Sequence, residues 1–430
     1  MEEEERKKQK WYRIDNAATL FSMVESKRIT TVFRLSVTLK KPINVSILQE
    51  ALETIIERFP YYKVNLRPGF FWYYWNNNEE IPVLEKDTKY PNSRMNVKKK
   101  GEFPFRVKVY QNRIAIEYSH ILTDGTGGMA FLKTLVTQYL SMQGKNIEDW
   151  GDVMKPGEKP DETEYEDAFK KYYKKTLPNP EKIQKAFHLP YKLEKPGIYH
   201  IITGIAPVEK VLEVARSHKV SITEYLAAVY IDVLQQIVES YPEKKQKKMR
   251  KPIRLMVPVN LRNIYPTKTM RNFSLYVTPG IDTRLGTYSF EEILKKVHHY
   301  MRMEVDEKYI NQQIARNVRG ELHPAIRATP LVLKNMFGKS IYNNLGEYLY
   351  SGVVTNLGKV TVPKEIEEDI ERFEFFPAPS PVTKTNCAVG SYKDKLYLSF
   401  GRQINEKEVE KNFFRKLRKD GINIKIETNE

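Results

Sequence analysis

The sequence predicts an α/β protein with two lobes of similar size, residues 1–175 and 176–430. Segments with the two-residue hydrophobic period of strands alternate with segments of helical period along the whole chain. Both halves open with a strand followed by a helix. The stretch 144–167, rich in Asp, Glu, Pro and Gly, interrupts these patterns and predicts a surface connection. The mixture of strands and helices in each half places the chain in the α/β class.

The first half starts with a strand at residues 31–39. Arg34, Ser36 and Thr38 occupy one face, and the apolar residues at 33, 35, 37 and 39 occupy the other, which is typical of a half-buried strand. Asn44 can cap the helix that follows, and Pro60 stops that helix. The other predicted elements of this half are a strand within 70–75, a hairpin of 106–110 and 113–120, and a helix with apolar residues between 132 and 140.

The second half shows the same two periods. Ser221 and Glu224 form a capping box that predicts a helix continuing to about residue 237. The remaining predicted elements are strands at 200–205, 253–262, 273–278, 353–355 and 395–400, and helices at 208–217, 290–303 and 406–417. The similarity between the two halves is only weak evidence of an internal repeat.

Charge and composition restrict the classes of function. Lys and Arg outnumber Asp and Glu by 71 to 54, and this net charge of +17 attracts anions such as nucleic acid, anionic lipid or phosphorylated small molecules. The basic stretches 244–251 and 415–419 lack interleaved aromatic residues, so we expect no nucleic-acid partner. No apolar run approaches the roughly 18 residues of a membrane span. The first ten residues are almost all charged, so no signal peptide is predicted and the cytoplasm is the expected compartment.

The strongest chemical feature is the run His120-Ile121-Leu122-Thr123-Asp124-Gly125. A histidine at the end of a strand is held rigidly, and it can accept a proton near neutral pH. Asp124 lies in the following turn, where it can pair with an arginine and fix the loop. The glycines at 125, 127 and 128 permit positive φ angles and close backbone approach. A buried histidine beside an ordinary Asp-Gly turn would show the same local pattern.

This run resembles the HxxxDG motif of the CoA-dependent acyltransferase superfamily. The superfamily includes chloramphenicol acetyltransferase, the plant BAHD acyltransferases, polyketide-associated acyltransferases, alcohol acetyltransferases and the condensation domains of peptide synthetases. The resemblance covers most of the chain: the opening at 33–60, the blocks 258–262 and 271–273, and the segment 351–358 are also similar. The bacterial alcohol acetyltransferase and polyketide-associated groups are the most similar.

The resemblance implies a chloramphenicol-acetyltransferase-like fold, in which each lobe is a mixed sheet flanked by helices. A tunnel between the lobes would admit acyl-CoA at one mouth and the acceptor at the other. His120 would be the general base, and Asp124 would orient the site through an arginine. Two departures stand out: Ser119 replaces the first of two adjacent histidines usual in condensation domains, and the Asp-Phe-Gly-Trp-Gly motif of the BAHD group is absent.

Four further residues are candidates for the site. Arg262 and Asn260 lie on the polar face of an otherwise apolar strand, where an arginine needs an acidic partner or solvent. We expect Arg262 to pair with Asp124, and Arg271 is the second candidate for that pairing. Thr355 and Asn356 could place a hydrogen-bond donor near the oxyanion of a tetrahedral intermediate. Ordinary hydrogen bonding at strand ends is the alternative for each of them.

Other patterns are weaker. Gly125, Gly127 and Ala130 fit a dinucleotide fingerprint, but the second strand with its terminal acid is missing. Echoes of a phosphate loop at 338–340 and 352–359 lack required residues. The single cysteine, Cys387, excludes an intramolecular disulfide and any site needing two thiolates, and it is expected in the core.

These observations together predict a metal-independent O-acyltransferase with no permanently bound cofactor. Its co-substrate would be acyl-CoA, most simply acetyl-CoA, and its acceptor a small-molecule alcohol or amine. His120 would deprotonate the acceptor, the pH profile would rise in the histidine range, and no acyl-enzyme would form. Two alternatives stay open: a free-standing condensation-type enzyme that uses a carrier-protein thioester, and an inactive relative that serves as a binding protein.

Overall fold

A computed structural model describes residues 11–26 and 29–430 of the chain. Its strands are β1 (Trp11–Arg13), β2 (Val32–Leu39), β3 (Val64–Pro68), β4 (Tyr73–Asn77), β5 (Glu85–Lys86), β6 (Phe105–Tyr110), β7 (Arg113–Ser119), β8 (His200–Pro207), β9 (Pro252–Asn260), β10 (Ser274–Val277), β11 (Gly280–Asp282), β12 (Gly352–Lys359), β13 (Ile370–Phe376), β14 (Thr385–Tyr392), β15 (Lys395–Arg402) and β16 (Lys425–Thr428).

The α-helices are α1 (Asn16–Val24), α2 (Val45–Ile56), α3 (Gly125–Met142), α4 (Ala168–Lys171), α5 (Val208–Ser217), α6 (Ile222–Glu239), α7 (Glu243–Met249), α8 (Phe290–Glu304), α9 (Glu307–Leu322), α10 (Pro324–Ala328), α11 (Leu331–Leu345), α12 (Lys364–Glu367) and α13 (Glu408–Lys419). Short 3₁₀ turns lie at Glu162–Tyr165, Leu261–Asn263, Thr283–Leu285 and Glu347–Leu349. None of these helices combines the length and the apolar composition needed to cross a bilayer.

The chain has the predicted α/β architecture with a mixed sheet in each half. Within the described residues, one sheet has the strand order β13-β2-β7-β6-β5, and only its β5–β6 pair is parallel. The larger sheet has the order β10-β9-β12-β14-β15-β8-β16, with β11 also paired to β9. Its strand β12 runs parallel to both β9 and β14. A small antiparallel sheet, β1-β4-β3, completes the first half.

Most elements with a strong pattern form where the sequence predicts them. The cap of α2 by Asn44 and the capping box of α6 by Ser221 and Glu224 are both confirmed. The helix α2 ends at Ile56, four residues before the predicted stop. The aromatic stretch 70–75 is a strand only from Tyr73 onward.

The prediction that β2 is half-buried is wrong, because all eight of its residues are buried. Its apolar face packs against α3 and Tyr118. Its polar face is covered by charged partners instead of water: Arg34 donates to both carboxylate oxygens of Asp87 and to Glu117. These ion pairs compensate the buried charge of Arg34, which the alternating pattern predicted to be exposed to solvent.

Strand β13 crosses from the second half into the sheet of the first. It pairs antiparallel with β2 from Ile370↔Leu39 to Phe376↔Arg34. The proposed division between residues 175 and 176 stays a prediction, but the first sheet takes its edge strand from beyond it. Two large apolar cores lie against the two sheets, and the first core also contains Ile370, Phe373 and Phe375.

Candidate active site

His120 immediately follows β7 and is held through its backbone on both sides. Its N–H donates to the carbonyl of Thr31 at 2.9 Å, and its own carbonyl accepts from Asn272 Nδ2 at 2.9 Å. The imidazole lies between two aromatic rings, with centroid distances of 4.4 Å to Phe33 and 5.3 Å to Phe21. The ring position is therefore fixed by packing as well as by the backbone.

Burial decides the protonation state of His120. Removal from water lowers the pKa of its imidazole to about 4, although the Asp124 charge and hydrogen bonds of the ring with the Thr123 backbone and the Asn272 side chain act in the opposite direction. The side chain nevertheless keeps some accessible surface. At neutral pH the ring is uncharged and can accept a proton.

Asp124 caps α3 and joins the two halves of the chain. Its Oδ1 accepts from the backbone N–H groups of Thr126 and Gly127, at 3.1 and 3.2 Å. Its Oδ2 accepts from Arg262 Nη1 at 2.9 Å and from the Phe273 N–H at 2.8 Å. The predicted Asp124–Arg262 ion pair is thus confirmed. Both carboxylate oxygens are occupied by donors, which suits a residue that holds the loop in place.

All three guanidinium nitrogens of Arg262 donate hydrogen bonds in this arrangement. Beyond Asp124, its Nε donates to the Thr269 carbonyl at 2.9 Å and its Nη2 to the Arg271 carbonyl at 2.5 Å. The alternative partner, Arg271, instead directs its guanidinium to the Arg13 carbonyl and the Tyr12 ring. Arg262 lies in a 3₁₀ turn and not on the predicted strand.

Asn260 ends β9 and connects Arg262 to α3. Its Oδ1 accepts from the Arg262 backbone N–H at 3.1 Å, which caps the turn, and from Arg262 Nη1 at 3.2 Å. Its Nδ2 donates to Thr126 Oγ1 at 3.3 Å. The structure therefore brings Asp124, Arg262 and Asn260 together, as the sequence pattern indicated.

The glycines of this loop are needed for close approach and not for unusual backbone angles. Gly125, Gly127 and Gly128 all lie in regular helix, so the expected positive φ is wrong for them. A Cβ at Gly127 would come within 2.3 Å of Thr123 Oγ1 and 2.4 Å of the Met270 carbonyl. A Cβ at Gly125 would lie 2.7 Å from Leu357 Cδ2. A side chain at Gly127 would therefore push the helix start away from the backbone of the second half, whereas at Gly125 only the flexible end of Leu357 would have to move.

The two candidates on β12 differ in placement. Asn356 is exposed, and its amide donates to Thr223 Oγ1 at 3.0 Å while its Oδ1 accepts from the Gly358 N–H. Neighbouring side chains of a strand point to opposite faces, so partly buried Thr355 faces away from Thr223. Of the two, Thr355 is the one whose hydroxyl is directed away from that contact.

The sequence reading gave no role to Asn272 or Phe21. Asn272 Nδ2 lies between the His120 carbonyl and the carboxylate of Asp15, 3.3 Å from its Oδ2. Burial raises the pKa of Asp15 to about 7, with the Asp167 charge adding to the shift. Asn272 belongs to a block already noted for its resemblance, whereas Phe21 lies in a short helix without a motif.

Solved structures resemble this architecture closely in shape and weakly in sequence. The trichothecene 15-O-acetyltransferase TRI3 of Fusarium sporotrichioides matches with a TM-score of 0.59 and 11% identity, over 95% of this chain and 94% of that one. TRI101 of F. graminearum, complexed with coenzyme A and deoxynivalenol, matches at 0.60 and 10%, over 98% and 100%. The first condensation domain of the CDA synthetase matches at 0.58 and 11%, over 95% and 96%.

This chain has the two-lobed fold of those proteins. At such identities the likeness shows the fold alone. No family model matches the chain, and no curated protein matches it in sequence.

Proposed function

We propose that the protein transfers an acyl group from acyl-CoA to a hydroxyl acceptor, with His120 as the general base. The observation that carries the proposal is the placement of His120: its imidazole is uncharged and packed between Phe21 and Phe33, and its carbonyl accepts a hydrogen bond from Asn272 of the second half. The fold shared with an O-acetyltransferase and with a protein that binds coenzyme A supports the same reaction class.

The reaction consists of addition to the thioester carbonyl and elimination of the CoA thiolate, with one proton transfer in each step. The acceptor oxygen attacks the thioester carbonyl carbon while its proton moves to the His120 ring. The tetrahedral intermediate then collapses, the C–S bond breaks, and the imidazolium returns the proton to the CoA sulfur. Because an alcohol is scarcely ionised at pH 7, the base must act during the attack.

Asp124 acts as a positioning residue in this scheme. Its carboxylate accepts hydrogen bonds from two backbone N–H groups of α3 and from one guanidinium, so it fixes the loop that begins at His120. Arg262 and Asn260 complete that anchor. Thr355 is the proposed hydrogen-bond donor to the oxyanion, whereas the amide of Asn356 already donates to Thr223.

A covalent acyl-enzyme is not part of the proposal. Cys387 is fully buried in the second core, and burial raises the pKa of its thiol well above its usual range. A thiol that stays protonated is a poor nucleophile. The acyl group therefore passes directly from CoA to the acceptor.

A carrier-protein thioester is the second candidate donor, because a condensation domain shares the fold. The two donors are separated by supplying the same acyl group on CoA and on a phosphopantetheinylated carrier protein. Release of free CoA with an alcohol supports the main proposal. Turnover with the carrier thioester alone supports the alternative, and no turnover with either donor supports a binding protein.

The decisive variant is His120→Ala, assayed by CoA release over a panel of alcohols. We expect kcat to fall by about 10²–10⁴-fold, which is the usual contribution of a positioned base. Acyl-CoA binding should change little, since the ring acts on the acceptor, whereas loss of the ring packed between Phe21 and Phe33 should lower thermal stability. His299→Ala, at an exposed position, is the matched control and should retain full activity. Near-normal turnover by His120→Ala would refute the mechanism.

A further inference from the structure

Six large apolar side chains form an exposed surface that no packing in the described chain covers. We call it the α11 patch; its members are Phe70, Phe71, Val332, Leu333, Met336 and Phe337. Phe70 and Val332 are each 72% exposed, Met336 69% and Phe337 61%. The four members on α11 lie at helical spacing on one face. Contiguous exposure of this kind marks an interaction surface.

The patch rests on ordered contacts beneath it. The Leu331 N–H donates to the Phe70 carbonyl at 2.9 Å, and Lys334 Nζ donates to the Phe71 carbonyl at 2.9 Å. On the opposite side of α11, Gly338 lies against Met23 of α1, since a Cβ there would be 2.7 Å from Met23 Cβ. The outward direction of the apolar face is therefore set by the contacts of the inward one.

The two segments that form the patch carry basic but no acidic residues. Neither segment that forms it, 66–78 or 322–346, contains a single Asp or Glu, although the chain has 54 acidic residues. Arg327 is an exposed basic residue of these segments, whereas Lys334 is buried beneath the patch. A cavity of about 560 Å³ adjoins the patch at Phe71, with Trp11, Trp72 and Arg327 among its lining residues. The one carboxylate in that lining, Glu321, is paired with Lys170 at 2.7 Å.

We propose that the α11 patch binds the surface of an anionic lipid bilayer. Protruding Phe, Met and Val side chains can enter the boundary between headgroups and acyl chains, while the exposed Arg327 meets anionic headgroups. Trp11 and Trp72 carry the amphipathic rings that favour this depth. The absence of carboxylates from both segments removes the repulsion that anionic headgroups would otherwise meet at this surface.

The position of the patch relates it to the candidate active site. The helix α11 packs on α1, where Phe21 stacks on His120 and lies 6.4 Å from Tyr342 of α11. The helix α1, through Phe21, therefore lies between α11 and the proposed base His120. If the proposed function holds, on which this step rests, the acceptor is an apolar alcohol that enters from the bilayer.

The binding test uses sedimentation with vesicles of equal parts phosphatidylcholine and phosphatidylglycerol, against vesicles of phosphatidylcholine alone. The full chain should sediment with the anionic vesicles, and the double variant Met336→Glu/Phe337→Glu should bind at least about tenfold more weakly. The control Leu285→Glu changes a side chain that is 79% exposed elsewhere, and it should bind normally. Equal binding by the double variant, or no binding of the full chain to anionic vesicles, would overturn the proposal.

Sedimentation velocity without lipid tests the rival occupant, a second copy of the chain. A dimer that disappears in Met336→Glu/Phe337→Glu, combined with unchanged vesicle binding, would overturn the membrane proposal. His120→Ala should bind vesicles as the unaltered chain does. Loss of its CoA release and loss of vesicle binding are therefore separate results, so failure of the proposed function is distinguishable from failure of this one.

Discussion

Two buried carboxylates lie close together in the chain, Glu117 within β7 and Asp124 in the loop that follows the strand. They differ in the parts of the molecule that they connect. Glu117 belongs to a network with Arg34, Arg106 and Asp87, all within the first half of the chain. Beyond the strand, Asp124 bonds to Arg262 and the Phe273 N–H in the second half. The first network holds one sheet together, whereas the second fixes the loop of the proposed base against the other lobe.

The network around Arg34 should give the largest effect on folding. The carboxyl of Asp87 is penalised by burial, yet hydrogen bonds and charge from Arg34 hold its pKa well below the usual range. Arg34→Ala leaves Asp87 and Glu117 buried with less compensation, so we expect a loss of about 3–5 kcal/mol in the free energy of unfolding. Urea denaturation measures it. The folded fraction should keep its activity per molecule, and a loss below about 1 kcal/mol would show that water replaces the arginine.

The anchor at Asp124 should give a smaller loss of stability but also a loss of activity. Asp124→Ala removes the cap of α3 and leaves Arg262 without its acid, so we expect a decrease of about 1–3 kcal/mol in unfolding free energy. CoA release should fall as well, because the loop that carries His120 loses its attachment to the second half.

A double-mutant cycle of Asp124→Ala with Arg262→Ala tests whether these two residues act as a pair. We expect a coupling of about 0.5–3 kcal/mol in stability. Additive effects would show that the hydrogen bonds to Thr126 and Gly127 carry the role of Asp124, and that its pairing with Arg262 is incidental.

The pH dependence of activity is expected to differ from that of an exposed histidine. Because burial lowers the pKa of His120 to about 4, its neutral form exists at all higher pH. The profile of kcat/KM should therefore rise through about pH 4 and be flat near neutrality, instead of rising near 6.5. Fluorescence at each pH controls for acid unfolding. A limb near 6.5 would mean that the ring is solvated in the free enzyme.

The effect of salt on acyl-CoA binding should be the smallest of these effects. Acyl-CoA carries several phosphate charges and the chain carries +17, so raising ionic strength should weaken its binding while the fold persists. Titration of acyl-CoA at two salt concentrations measures the change. An unchanged dissociation constant would indicate that the donor is held by packing and hydrogen bonds. Tight, salt-sensitive binding of duplex DNA would instead favour a nucleic-acid partner.

The sequence predicted the parts of the site that lie in local patterns. The loop from His120 to Gly125 follows from a strand end and a turn. The choice of Arg262 as the partner of Asp124 rested instead on an unsatisfied charge and on the resemblance to the acyltransferase superfamily. The stacking of Phe21 on His120 could not be predicted, because it depends on how α1 packs across the strand. For the same reason, the pattern of β2 wrongly placed Arg34 in solvent: periodicity identifies two faces but not what covers the polar one.

Helices with weak hydrophobic periodicity could not be predicted from the sequence either. The helix α11 exposes apolar residues on its outer face, which conflicts with the usual rule that apolar residues mark the buried side. Strands β13 and β14 are buried on most positions, so they lack the alternation that reveals a half-exposed strand.

The crossing of β13 into the first sheet has a consequence for how the chain folds as it is made. Until residue 376 has left the ribosome, β2 has no partner on one side and presents a row of open N–H and C=O groups. The first half cannot complete its sheet until β13 has been translated, so the usual order of one domain after another does not apply. Synthesis of the last edge strand, rather than of the first 175 residues, sets the moment at which this sheet closes.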